Sequence, residues 1–166
     1  PLAKLEAQIV KTNVKCAGGS TGSIDLTTTG GTAPYSYYWT SPGWGNSLPN
    51  SEDITDLDEG QYKVVITDAN LCKSTYFTNV YEPKPLQVIA YETSPVSTIG
   101  GNDGRAQGWA SGGRGSYYYS WSGPNSYSKL SKYANGLYAD IYTLKVTDDN
   151  GCFETDTVLI SEPTLK

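Results

Sequence analysis

With 166 residues, 37% hydrophobic and only 17% charged, the chain carries enough apolar material for one large domain or two small ones, which excludes a fully disordered polymer. Seventeen Asp and Glu against twelve Lys and Arg leave a formal charge of -5, the wrong sign for a partner held through phosphates, so no nucleic-acid role is expected. Histidine is absent, which removes the usual general base of Ser and Cys hydrolases and the commonest zinc ligand, and points away from an enzyme.

Fourteen Tyr, eighteen Gly, nine Pro and no Met make a mixture of strand formers and turn formers. The expected class is all-β with almost no helix. No window approaches the roughly 18 uninterrupted apolar residues of a membrane span, so no membrane insertion is expected. The opening Pro1-Leu2-Ala3-Lys4 has neither an initiator Met nor a signal-type apolar stretch and reads as the inside of a longer polypeptide.

From the N-terminus, strands are expected at 5–12 and 22–29. The Gly30-Gly31 turn signal then introduces a strand with Tyr35, Tyr37 and Trp39 on one face. A short strand at 52–56 precedes the clearest one, Gln61 to Asp68, where Tyr62, Val64 and Ile66 alternate with Lys63, Val65 and Thr67. A strand at 73–81 completes the set. Counterparts follow at 86–93 and 104–111, then around Tyr117, Tyr119 and Trp121, at 131–136, around Tyr142, Leu144 and Val146, and at 153–161.

The counterparts arise because the chain is written twice. Gly22, Gly30, Gly31, Tyr35, Tyr37 and Trp39 fall on Gly104, Gly112, Gly113, Tyr117, Tyr119 and Trp121, each 82 residues on. Leu57, Tyr62, Thr67, Asp68, Asn70, Cys72, Glu82 and Pro83 fall on Leu137, Tyr142, Thr147, Asp148, Asn150, Cys152, Glu162 and Pro163, each 80 residues on. A period of roughly 80 residues is too long for a solenoid unit and suits one small sandwich with its own core. Two tandem domains are therefore expected, 1–83 and 84–166. Pro83 and Pro85 stiffen the connector, so an elongated pair is expected. In each half a Leu stands five residues before a strand-opening Tyr, Leu57 before Tyr62 and Leu137 before Tyr142. This resembles the tyrosine corner of immunoglobulin-like, PKD-like sandwiches.

Several of these residues together resemble a known family. They are Cys16, Gly19 and Gly22-Ser23-Ile24; Gly30-Gly31-Thr32-Ala33-Pro34-Tyr35 running on to Trp39; Leu57-x-x-Gly60-x-Tyr62; Thr67-Asp68-Ala69-Asn70-x-Cys72; and Glu82-Pro83. The pattern is similar to the SprB repeat, a module of gliding-motility adhesins and other cell-surface proteins of Bacteroidetes. The second half has Thr98 where Cys16 would align and Asp140 in place of Gly60. The resemblance implies a secreted, surface-anchored filament exported by the type nine secretion system, with neighbouring repeats as partners and surfaces or polysaccharides as what it sticks to. The competing expectation is a carbohydrate-binding module working through exposed aromatics, appended to a secreted hydrolase.

Cys16 and Cys72 are the expected disulfide, which leaves Cys152 as the odd thiol. In a standard seven-stranded sandwich the two turns that carry the pair lie at opposite ends, so either the topology departs from that plan or the bridge is absent. Asp148 and Asp149 are the carboxylates that would hold calcium, the one cofactor considered; such residues also satisfy turn backbone through Asx-type bonds, the commoner role. Trp109 alternates with Ala106, Gly108 and Ala110 in a way that turns its indole outward. Together with Trp44 and Tyr127, both in Gly- and Pro-containing loops, it is a candidate for stacking on sugars. A register slip of one would place Trp109 in the core instead. Asp156-Thr157-Val158 fits a short O-glycosylation pattern of the same phylum, with Thr157 as acceptor.

Overall fold

The computed structural model describes residues 3–41 and 48–164, and within them every regular element is a β-strand. The chain divides into two compact units, Pro1–Pro83 and Lys84–Lys166. In the first, Glu6–Thr12 (β1), Gly22–Thr29 (β2) and Ile54–Leu57 (β4) form one antiparallel sheet in the order β1-β2-β4. Ser36–Thr40 (β3), Gly60–Thr67 (β5) and Lys73–Val80 (β6) form the other, in the order β3-β5-β6.

Period-2 alternation decides which side chains meet between these sheets. Ile24 and Leu26 from β2, Ile54 and Leu57 from β4, Trp39 from β3, and Tyr62, Val64 and Ile66 from β5 are all buried in one core. Trp39 lies opposite Val64 in the β3–β5 register and donates its indole N–H to the carbonyl of Ser51 at 2.9 Å, so the largest buried ring leaves no orphan polar group.

The second unit repeats the plan with Gln87–Ser94 (β7), Gly104–Ser111 (β8) and Tyr133–Leu137 (β11) in the order β11-β8-β7. Tyr117–Gly123 (β9), Tyr127–Lys129 (β10), Ile141–Asp148 (β12) and Phe153–Leu159 (β13) pair in the order β10-β9-β12-β13. Trp121, Tyr142, Leu144, Val146 and Leu137 fill its core, and Trp121 donates its indole N–H to the carbonyl of Ser131 at 3.1 Å. The inward residues of β8 are small: Gly104, Ala106, Gly108 and Ala110. Strand β10 has no counterpart among the strands expected from the sequence. It forms because Pro124 to Ser126 turn the chain back onto β9, with positive φ at Asn125 and Ser126.

The Gly-Gly turns have a steric cause. Gly30 and Gly112 adopt positive φ, and a Cβ on either would collide with the incoming chain, at the carbonyl of Lys4 or of Pro85. Only glycine lets the first segment of each unit pass so close. No helix among the described residues is long and apolar enough to cross a membrane.

Candidate functional site

Thr-Asp-x-Asn-x-Cys, present in both halves, proves to be a backbone clamp. Asp68 sits between β5 and β6, and its Oδ1 accepts the N–H groups of Asn70 (2.9 Å) and Cys72 (2.8 Å) while Oδ2 accepts that of Thr32 (3.0 Å). Asn70 Nδ2 donates to Thr32 Oγ1, and Ala69 N–H donates to the carbonyl of Thr32. One carboxylate thereby ties the Gly30-Gly31 turn to the β5–β6 turn. Burial pushes the Asp68 carboxyl up, but the backbone N–H groups of Cys72, Thr32 and Asn70 outweigh it and hold the group below its ordinary value.

Asp148 does the same in the second unit, accepting from Asn150, Cys152 and Arg114, while Asp149 Oδ2 accepts the N–H of Ser116. The two proposed calcium ligands therefore both serve as acceptors for turn backbone, and Asp148 has three of its roughly four acceptor positions filled by N–H donors. Among the described residues no three His, Cys, Asp or Glu side chains gather as a metal site would require.

At the other end of each unit the Glu of the Glu-Pro pair acts as an anchor. Glu82 Oε2 accepts the N–H of Gly18, Glu162 Oε2 that of Gly100, and Val14 and Val96 donate to the carbonyls of Tyr81 and Ser161. The sequence showed this pair only as a junction; its recurrence at a fixed place was the available signal. The tyrosine corners are present in two forms. Tyr62 donates its hydroxyl to the carbonyl of Asp58 at 3.0 Å, whereas the hydroxyl of Tyr142 accepts the N–H of Tyr138 at 3.1 Å.

The expected Cys16–Cys72 bridge does not form. Cys16 lies in the β1–β2 connection at the Glu82 end, whereas Cys72 sits in the turn that precedes β6. Eight residues of β6 lie between those ends, roughly 25 Å of strand, and a disulfide requires Cα atoms within about 7 Å. Cys72 is an exposed free thiol.

Of the three aromatic candidates, Trp109 stands outward on β8 with 43% of its surface exposed, in the register that alternation implies. Tyr127 does not stand free: β10 holds it half-buried, its ring edge-on to Tyr142 at 5.3 Å and its hydroxyl donating to the carbonyl of Asn135. Trp44 lies outside the described residues. Thr157 is exposed on β13, and the neighbouring Asp156 accepts the N–H of Ala90. What sequence reasoning did not assemble is the company Trp109 keeps: Ile89 opposite it, and Tyr91 and Tyr133 flanking Gln107 in the next row.

Residues 9–43, from β1 through the Gly-Gly turn and past β3, match the family model of the SprB repeat. The matched stretch lies within the first unit. The matched stretch contains Cys16, Gly30 and Gly31, and the Trp39 strand. No curated protein matches the chain. Among solved structures it is similar to the three N-terminal domains of the highly immunogenic outer capsid protein (Hoc) of bacteriophage RB49. The identity is 18% and the TM-score 0.56, over 94% of this chain and 59% of that one. The chain thus spans about three fifths of that structure, and the likeness concerns the fold. A C-terminal fragment of intimin in complex with the intimin-binding domain of its translocated receptor aligns at 14% identity and TM-score 0.49, over 97% of this chain and 64% of that one. The fold that contains the matched stretch is an immunoglobulin-like β-sandwich.

Proposed function

We propose that the chain is a non-catalytic segment of a secreted cell-surface adhesin filament, in which SprB repeats supply length and attachment. The SprB match at residues 9–43 carries this proposal. It is supported by what the recurring residues do: the Asp68 and Asp148 clamps, the Glu82 and Glu162 anchors and the Gly-Gly turns all brace backbone. The carboxylates of the clamps and anchors all accept backbone N–H groups. The second unit, with the same devices at the same places, is read as a second, diverged repeat. Export by the type nine secretion system and a part in gliding motility extend the family's properties to this chain.

Intact-cell labelling tests the proposal. An antibody raised against the recombinant chain should stain unpermeabilised cells that produce the parent protein, and deleting the coding segment should weaken their attachment or spreading on surfaces. Staining that appears only after permeabilisation would refute surface display.

A further inference from the structure

Strand β8 is the middle strand of its sheet, and its outward side carries Arg105, Gln107 and Trp109. Ile89 lies opposite Trp109 on β7, and Tyr91 and Tyr133 lie opposite Gln107 from either side. Trp109, Tyr91, Tyr133 and Ile89 are each 41% to 58% exposed. Three flat rings thus surround an amide, with Arg105 in the adjoining row and the two tyrosines about two strand spacings, roughly 10 Å, apart.

The sandwich does not need these rings. The corresponding outward positions of β2 are Ser23, Asp25 and Thr27, and their partners on β1 are Thr12, Val10 and Gln8. The first unit folds around a full core with no aromatic ring at those positions. The aromatic face is a property of the second unit alone; no outward position of β7, β8 or β11 is a carboxylate, and Asp103, the carboxylate beside Arg105, accepts the N–H of Ser97.

From this arrangement we infer that the outward face of β7-β8-β11 binds an acidic polysaccharide. The rings stack on the C–H faces of sugars. The Gln107 amide and the Arg105 guanidinium, carried outward on the same strand as Trp109, take hydroxyls and a carboxylate, the latter in the fork geometry an arginine offers. The size of the face argues for this occupant over a protein. Three strands and four rows span roughly 15 Å by 25 Å, under half of the ~800 Å² that each partner of a stable protein complex contributes.

The inference rests on the segment being displayed outside the cell, which the labelling experiment examines separately. A cell surface that stains while the following titration fails removes the sugar face and leaves the filament segment standing. Calorimetric titration of the whole chain with sodium polygalacturonate should give saturable binding that weakens as salt rises. Trp109→Ala and Arg105→Ala should each weaken it about tenfold or more, whereas Phe77→Ala, which removes an exposed ring of the first unit, should leave it unchanged. Every variant should melt at the parent temperature, because all three side chains are exposed. Absence of saturable binding, equal binding of neutral dextran, an equal loss in Phe77→Ala, or a Trp109-dependent dimer in sedimentation would each overturn the assignment.

Discussion

Asp68 shows how one side chain can hold two turns at once, and its ionisation sets a pH dependence. Its folded-state value lies below the ordinary carboxylate range because three backbone N–H groups point at the charged form. A depressed carboxyl stabilises the fold fully above its unfolded value of about 3.9, and that contribution is lost as the pH falls through the lower folded value. The first unit should therefore lose stability on acidification below about pH 4. Asp68→Ala should start from a lower melting temperature at neutral pH and show a flatter acid limb, measured by circular dichroism melts between pH 2 and 7. Parallel acid limbs in parent and variant would mean that the carboxylate is not the group responsible. The Asx role of this residue was legible from its place before Asn70. Its reach across to Thr32 was not, since a bond between residues 36 positions apart leaves no trace in local spacing.

At the scale of elements, alternation was the strongest guide. It placed β5, β8 and β12 and turned Trp39, Tyr62, Trp121 and Tyr142 inward, because a half-buried strand imposes its period on the sequence. It missed β10, three residues long, whose pairing with β9 depends on the turn at Asn125 and Ser126 rather than on an apolar pattern. The cysteine pairing failed because it rested on counting thiols, whereas the sandwich plan already put the two turns at opposite ends.

The small inward residues of β8 are the clearest difference between the two sheets. A Cβ on Gly108 would come within 2.6 Å of Leu144 Cδ2 and 3.0 Å of Tyr119 Cδ1, so this strand lies closer to its facing sheet than a side chain would allow. Gly108→Ala should cost the second unit about 1–3 kcal/mol by overpacking, read as a lower denaturation midpoint with an unchanged m-value. A neutral or stabilising substitution would show that Tyr119 and Leu144 can retreat, and that the small residues do not set the spacing.

For the whole molecule, the two cores are separate sets. One draws on residues from Leu5 to Val80 and the other on residues from Ala90 to Ile160. Each is closed at one end by its own carboxylate clamp and at the other by its own glutamate anchor. A chain of some 80 residues has a total stability of roughly 4–12 kcal/mol, and removing a fully buried Trp costs about 3–5 kcal/mol. Trp39→Ala should accordingly take from about a quarter of the first unit's stability to all of it, enough to unfold it near room temperature at the lower end of that range. The second unit should keep its own transition, because its core draws on none of the residues of the first. Fragments 1–83 and 84–166 expressed alone should each melt cooperatively, and in the full chain Trp39→Ala should displace only the transition assigned to the first fragment. Displacement of both transitions, or failure of either fragment to fold, would mean that the halves depend on one another for stability and would count against the use of such units as interchangeable lengths of a filament.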